Sequence, residues 1–150
     1  MHTEAFPKSE KLVSRKLIDR LFSGRGSRSL SSFPLRLVYM QLAKDDEALY
    51  VKGRTAKMAD AQIMISVPKR CFRHAVDRNR VKRQVREAYR RHRDLFSLSE
   101  GKYLAMAFIW MDGKHHASDE VEKKVMNLLC RMNERLVKEE VKVVNDGGEV

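Results

Sequence analysis

A dense block of positive charge that nonetheless keeps helical periodicity constrains this chain more than any other feature. Residues 69–93, KRCFRHAVDRNRVKRQVREAYRRHR, hold eleven Lys or Arg against only Asp77 and Glu87, and so carry +9 of the formal +11. Blocks of like charge usually belong to solvated tails. Here the apolar residues recur at helical spacing instead. At about 100° per residue, Val81, Val85, Ala88, Tyr89 and His92 share roughly a quarter of the circumference. Lys82, Arg83, Arg86, Arg90 and Arg93 occupy the neighbouring stripe, with Asn79 among them. Cations on one stripe stand roughly 5–6 Å apart, close to the phosphate spacing of a nucleic-acid strand. A solvated surface helix is the plain alternative. With so few acids interspersed, such a helix repels itself unless a polyanion is near, and the imbalance favours nucleic-acid binding.

The 150 residues are expected to form one folded unit with a substantial core. A hydrophobic share of 43% beside 34% charged residues fits a globular protein, and a pI near 9.9 fits a partner made of phosphates. No apolar run reaches the length of a spanning helix, and MHTEAFPKSEKL lacks the apolar stretch of a signal peptide. No membrane partner is expected, and the expected location is cytoplasmic. Cys71 and Cys130 fit no metal-ligand spacing and read as small, partly buried residues. His115-His116 reads as a polar loop, Asp45-Asp46-Glu47 as a solvated turn. Without a Gly-rich phosphate loop, HExxH or GxSxG motif, the side chains offer no evident catalytic constellation.

Ser14 is expected to cap a helix over 15–23 with an apolar stripe of Leu17, Ile18, Leu21 and Phe22, stopped by Gly24 and Gly26. RGSRSLSSF (25–33) reads as a loop. Strands are expected at 35–40, around 49–51 and at 63–67, the last ended by Pro68. The basic helix follows over 77–93. YLAMAFIWM (103–111), almost unbroken in apolar character, reads as a central buried strand. Ser118 caps a last amphipathic helix in which Val121, Val125, Leu128, Leu129, Met132 and Leu136 recur every three or four residues. The expected order is helix, three strands, helix, strand, helix: one α+β layered domain over 1–138, with 139–150 as a disordered polar tail.

Arg78-Asn79-Arg80 within RNRVKRQVREAYR, preceded by ISVPKRCFRHAVD, closely resembles the signature of the bacterial ribonuclease P protein component. FPKSEKLVSRKLIDRLF resembles that family's first helix, VYM around Tyr39 its first strand, and KYLAMAFIW with the closing helix its C-terminal half. The resemblance covers roughly residues 6–137 in family order. Two departures stand out: Ile18 sits where the family often has Phe, and the segment 43–60 is longer than usual.

The resemblance implies a fold like the second domain of ribosomal protein S5, with a left-handed crossover carrying the basic helix; pattern alone favours a right-handed one. It implies a ribonucleoprotein endoribonuclease in which ribonuclease P RNA, not the protein, holds the active site and its Mg2+. The protein would bind that RNA and the single-stranded 5′ leader of precursor tRNA. The RNA-binding residues would be Lys69, Arg70, Arg73, Arg78, Asn79, Arg80, Lys82, Arg83, Arg86 and Arg90. A leader cleft would be lined by Ile18, Phe22, Tyr39, Ser66, Lys82 and Arg86. The chemistry agrees: duplex RNA is read by shape and phosphates, Arg bonds phosphate bidentately, and aromatic rings stack on unpaired bases. A structural RNA-binding protein of ribosomal type is the competing reading, and a protein-only nuclease or DNA-binding regulator a third.

Overall fold

The computed structural model describes residues 7–46, 49 and 59–147. In chain order its main elements are α1 (Arg15–Phe22), β1 (Arg28–Ser32), β2 (Leu35–Ala43), β3 (Ala61–Ser66), α2 (Ala75–His92), β4 (Lys102–Trp110) and α3 (Ser118–Gly147). The strands form one mixed sheet in the order β1-β2-β4-β3. β1 with β2 and β2 with β4 are antiparallel, while β3 and β4 are parallel. A parallel pair needs a crossover connection, and here α2 supplies it.

Period-two alternation divides the core between two faces. Leu35, Leu37 and Tyr39 of β2, Ile63 of β3, and Leu104, Met106, Phe108 and Trp110 of β4 meet Val81, Val85, Ala88 and Tyr89 of α2 and the apolar stripe of α3. On the other face Val38, Met40 and Leu42 of β2 and Tyr103, Ala105 and Ala107 of β4 meet Leu17 and Leu21 of α1. Because both faces are covered, β4 is apolar almost throughout, as the sequence predicts. Burial pushes the phenols of Tyr89 and Tyr103 far above their ordinary range, and Tyr103 donates to Gln62 Oε1 at 2.6 Å.

The cap at Ser14 forms, its Oγ accepting from the Leu17 amide at 3.4 Å. Three expectations change. RGSRSLSSF is not all loop: residues 28–32 form the edge strand β1, paired along its length with β2. The run at 49–51 lies outside the described residues except for buried Leu49. Among the described residues three strands precede α2, and β1 is one of them. Cys130 is exposed, not partly buried. α3 continues to Gly147, past the boundary at 138 read from composition.

The outer edge of β3 is covered by the N-terminal segment, which removes an open strand edge. Lys11 forms a parallel bridge with Ile63, and the Leu12 amide donates to the Ile63 carbonyl at 2.8 Å. Gln62 Nε2 donates to the Ser9 carbonyl at 2.8 Å. Glu10, buried at 8% exposure, is ion-paired with Arg93 beyond the end of α2.

Candidate nucleic-acid interface

α2 sorts its residues as the periodicity requires. Val81, Val85, Ala88 and Tyr89 are buried, while Asn79, Arg80 and Arg83 are exposed and Lys82 and Arg86 half-exposed. Among the described residues, no hydrogen bond or ion pair engages the side chains of Lys69, Arg70, Arg73, Arg80, Lys82, Arg83 or Arg86. Seven cations without internal partners on one helix and the loop before it form a surface that only an external anion can neutralise.

Two of the sequence-predicted cations are committed inside the protein. Arg78 Nη1 donates to the carbonyls of Phe72 at 2.9 Å and Arg73 at 3.0 Å, tying the basic loop 69–73 back onto α2. Arg90 forms a two-pronged pair with Glu87, Nε at 3.0 Å and Nη2 at 2.7 Å. That hydrogen bond, with the charges of Arg90 and Arg91, holds the Glu87 carboxyl below its ordinary range.

The loop before α2 is held from a second side. The ring of Phe72 stacks on His115 with centroids 4.4 Å apart and planes 20° from parallel. His115 Nε2 lies 3.0 Å from Asp77 Oδ1. Cys71 Sγ donates to the Trp110 carbonyl at 3.7 Å. The neighbouring His116 sits between Asp112 Oδ2 at 2.7 Å and Glu120 Oε2 at 3.1 Å. The hydrogen bond to Asp112 raises its pKa and lowers that of Asp112. The His115-His116 segment is thus a clamp between the start of α2 and the start of α3, a role its composition does not reveal. Among the described residues no group of three or more His, Cys, Asp or Glu side chains is placed to hold a metal ion.

An open groove of about 220 Å³ runs along the edge of β3. Residues 11–13 form one wall, residues 63–65 the floor, and Lys82 and Arg86 the opposite wall. Ser66, two residues beyond Met64, shares its side of the strand and is half-buried. On α1, Ile18 is half-buried against the core while Phe22 is 46% exposed.

Tyr39 does not belong to this cleft. Only 2% exposed, it points to the face covered by α2 and α3, opposite the one that carries α1. Burial raises its pKa, partly offset by nearby Arg135, although its hydroxyl has no hydrogen bond of ordinary geometry. Such a ring cannot stack on a base. Sequence reasoning also missed Lys11, Val13 and Met64 in the groove; residues 11–13 come from a segment whose pairing with β3 has no local signal.

No described helix is long and apolar enough to cross a membrane. The family model for Ribonuclease P matches residues 6–133. The ribonuclease P protein component of Porphyromonas gingivalis (strain ATCC 33277) is 35% identical over 133 residues, covering 87% of this chain and 88% of that protein. That of Chlorobium phaeobacteroides is 32% identical over 122 residues, covering 76% and 77%. The RNase P protein of Thermotoga maritima shares the fold at 22% identity, with a TM-score of 0.58 over 81% of this chain and 96% of that one. A Staphylococcus aureus RNase P protein mutant, described as defective in mRNA degradation, does so at 17% identity, with a TM-score of 0.59 over 81% and 86%. With a family model spanning most of the chain, and relatives matched along most of their length, the chain belongs to the ribonuclease P protein component family, the protein subunit of a ribonucleoprotein endoribonuclease of tRNA processing.

Proposed function

We propose that α2 and the loop 69–73 bind ribonuclease P RNA through its phosphates, and that the groove along β3 holds the single-stranded 5′ leader of precursor tRNA. The observation that carries this reading is the row of unpaired cations, Lys69, Arg70, Arg73, Arg80, Lys82, Arg83 and Arg86, on a rigid, half-buried scaffold. Asn79 adds a neutral donor and acceptor beside them. Arg78 and Arg90 take part as well, Arg78 chiefly by fixing the loop. Two of these cations, Lys82 and Arg86, also wall the groove, so one helix would join catalytic RNA and substrate. Ile18, Phe22 and Ser66 would complete the leader site.

Catalysis and its Mg2+ belong, in this reading, to the RNA subunit. Protein cations replace counterions where RNA phosphates crowd together. The functional unit is read as residues 1–138, working in the cytoplasm, with the last turns of α3 continuing beyond it. The β3–α2–β4 crossover is read as left-handed, like that of the second domain of ribosomal protein S5. The test mixes the protein with a bacterial ribonuclease P RNA and precursor tRNA. Accurate 5′ cleavage at lower Mg2+ than the RNA alone requires is the expected result. Turnover by rigorously RNA-free protein, or no change in the Mg2+ requirement, would sink the reading.

A further inference from the structure

The sheet register assembles a second feature beside the groove. Ser31 pairs with Arg36, Arg36 with Ile109, and Ile109 with Ser66, so these residues form one row across all four strands. The row faces the α1 side: Arg36 lies two residues before Val38, and Ile109 packs against the α1-side cluster. Yet α1 does not cover it. Leu17 and Leu21 pack with Val38, Met40 and Leu42 toward the far end of β2, and Arg20 reaches Asp46 beyond that end at 3.3 Å. At the uncovered end Arg36 and Ser31 are exposed, and Ser66 and Ile109 half-buried.

Arg36 has chemistry to spare. Its Nε donates to Ser29 Oγ at 2.9 Å, and no described carboxylate engages its guanidinium, leaving both terminal nitrogens for an anion. The row is continuous with the groove through Met64 and Ser66, which share one side of β3.

We infer that Arg36 extends the leader site across the open end of the sheet, where it binds a phosphate of single-stranded RNA lying over Ser66 and Ile109. This rests on the leader groove proposed above. Ser66 and Arg36 stand on strands two spacings apart, roughly 10 Å, which admits about two further nucleotides. The guanidinium fork takes a phosphate, and Ile109 offers an apolar surface to a base. The Lys82 and Arg86 end of the path belongs to the helix that binds the RNA subunit. Arg36 therefore meets nucleotides farther upstream of the cleavage site.

The test is holoenzyme affinity for precursor tRNAs whose leaders lengthen one nucleotide at a time, in the parent, Arg36→Ala, Arg36→Lys and Lys82→Ala. The parent should keep gaining affinity over about two nucleotides where Arg36→Ala has stopped, giving a several-fold deficit confined to long leaders, with Arg36→Lys between them. The log–log salt slope for a long leader should also fall by up to about 0.7 in Arg36→Ala, the loss of one single-strand phosphate contact. If Arg36→Ala gains with length as the parent does while Lys82→Ala does not, the row is not the path and the groove stands. If neither variant alters the length dependence, the groove itself is misplaced. Equal losses in Arg36→Ala and Arg36→Lys at every length would assign Arg36 to the sheet's own stability and overturn the inference.

Discussion

Phe22 and Tyr39 stand on opposite sides of one sheet: the helix of Phe22 packs over Val38 and Met40, whereas Tyr39, between them in sequence, points into the core beneath α2 and α3. The two rings therefore answer different experiments. Tyr39→Ala should lower stability by about 3 kcal/mol, the scale of a large buried ring removed from a packed core. Phe22→Ala, from a ring 46% exposed, should weaken holoenzyme affinity for leader-bearing precursor tRNA by about 1 kcal/mol, the lower end of base stacking. Thermal melting and affinity against leader length separate them. A Phe22→Ala variant that gains as much from the leader as the parent would remove Phe22 from the site.

The cations of α2 should not be equivalent. Arg80→Ala and Arg83→Ala each remove an unpaired charge, and each should reduce the log–log salt slope of RNA binding by up to about 0.9. Arg78 instead holds the carbonyls of Phe72 and Arg73, so Arg78→Ala should also release the loop bearing Lys69, Arg70 and Arg73. Its slope should drop by more than one contact. Val81→Ala and Val85→Ala should act through folding, at about 1 kcal/mol or more. Identical slopes for Arg78→Ala and Arg80→Ala would mean that the loop is ordered without the Arg78 bonds.

His116 gives stability a pH dependence with a definite sign. Its hydrogen bond to Asp112 raises its pKa above that of the unfolded chain. The resulting stabilisation is fully present below about pH 6.5, the ordinary His value, and is lost as pH climbs through the folded value. Asp112, held low by the same contact, loses its share only as pH falls through its own depressed value. The melting-temperature gap between the parent and His116→Asn should therefore be wide near pH 6 and narrow toward pH 8. A gap constant over that range would show that the clamp does not depend on a charged imidazole.

What the sequence disclosed follows from where the packing signal lies. α2, α3 and β4 announce themselves because each buries many apolar residues at one fixed period. β1 is silent because its only buried residue is Leu30; pairing with β2 and cover from α3 hold it, and neither leaves a trace in RSLSS. The misassignment of Tyr39 has a related cause. β2 is buried on both faces, so alternation identifies a strand without telling which face carries α1. The exposed cationic face of α2 was legible from charge and period, while the groove wall from residues 11–13 and the row through Arg36 depend on pairings between distant strands.

Glu10 and Arg93 provide the last test, because they join the N-terminal wall of the groove to the end of α2. Glu10 is the more enclosed partner, with its side chain 11% exposed against 41% for Arg93. Arg93 can turn to water when its partner is lost; the Glu10 carboxylate cannot. Arg93→Ala should therefore destabilise by about 1–3 kcal/mol, the penalty for a buried group left unsatisfied. Glu10→Gln should have less effect, and Glu10→Gln with Arg93→Ala should be milder than the two added. Contacting residues typically couple by about 0.5–3 kcal/mol, within reach of a double-mutant cycle by denaturant unfolding. Hydrogen exchange at the Leu12 amide, bonded to the Ile63 carbonyl, should accelerate in Arg93→Ala as the segment loosens from β3. Additive losses with unchanged Leu12 protection would mean that the backbone pairing with β3 holds the wall by itself.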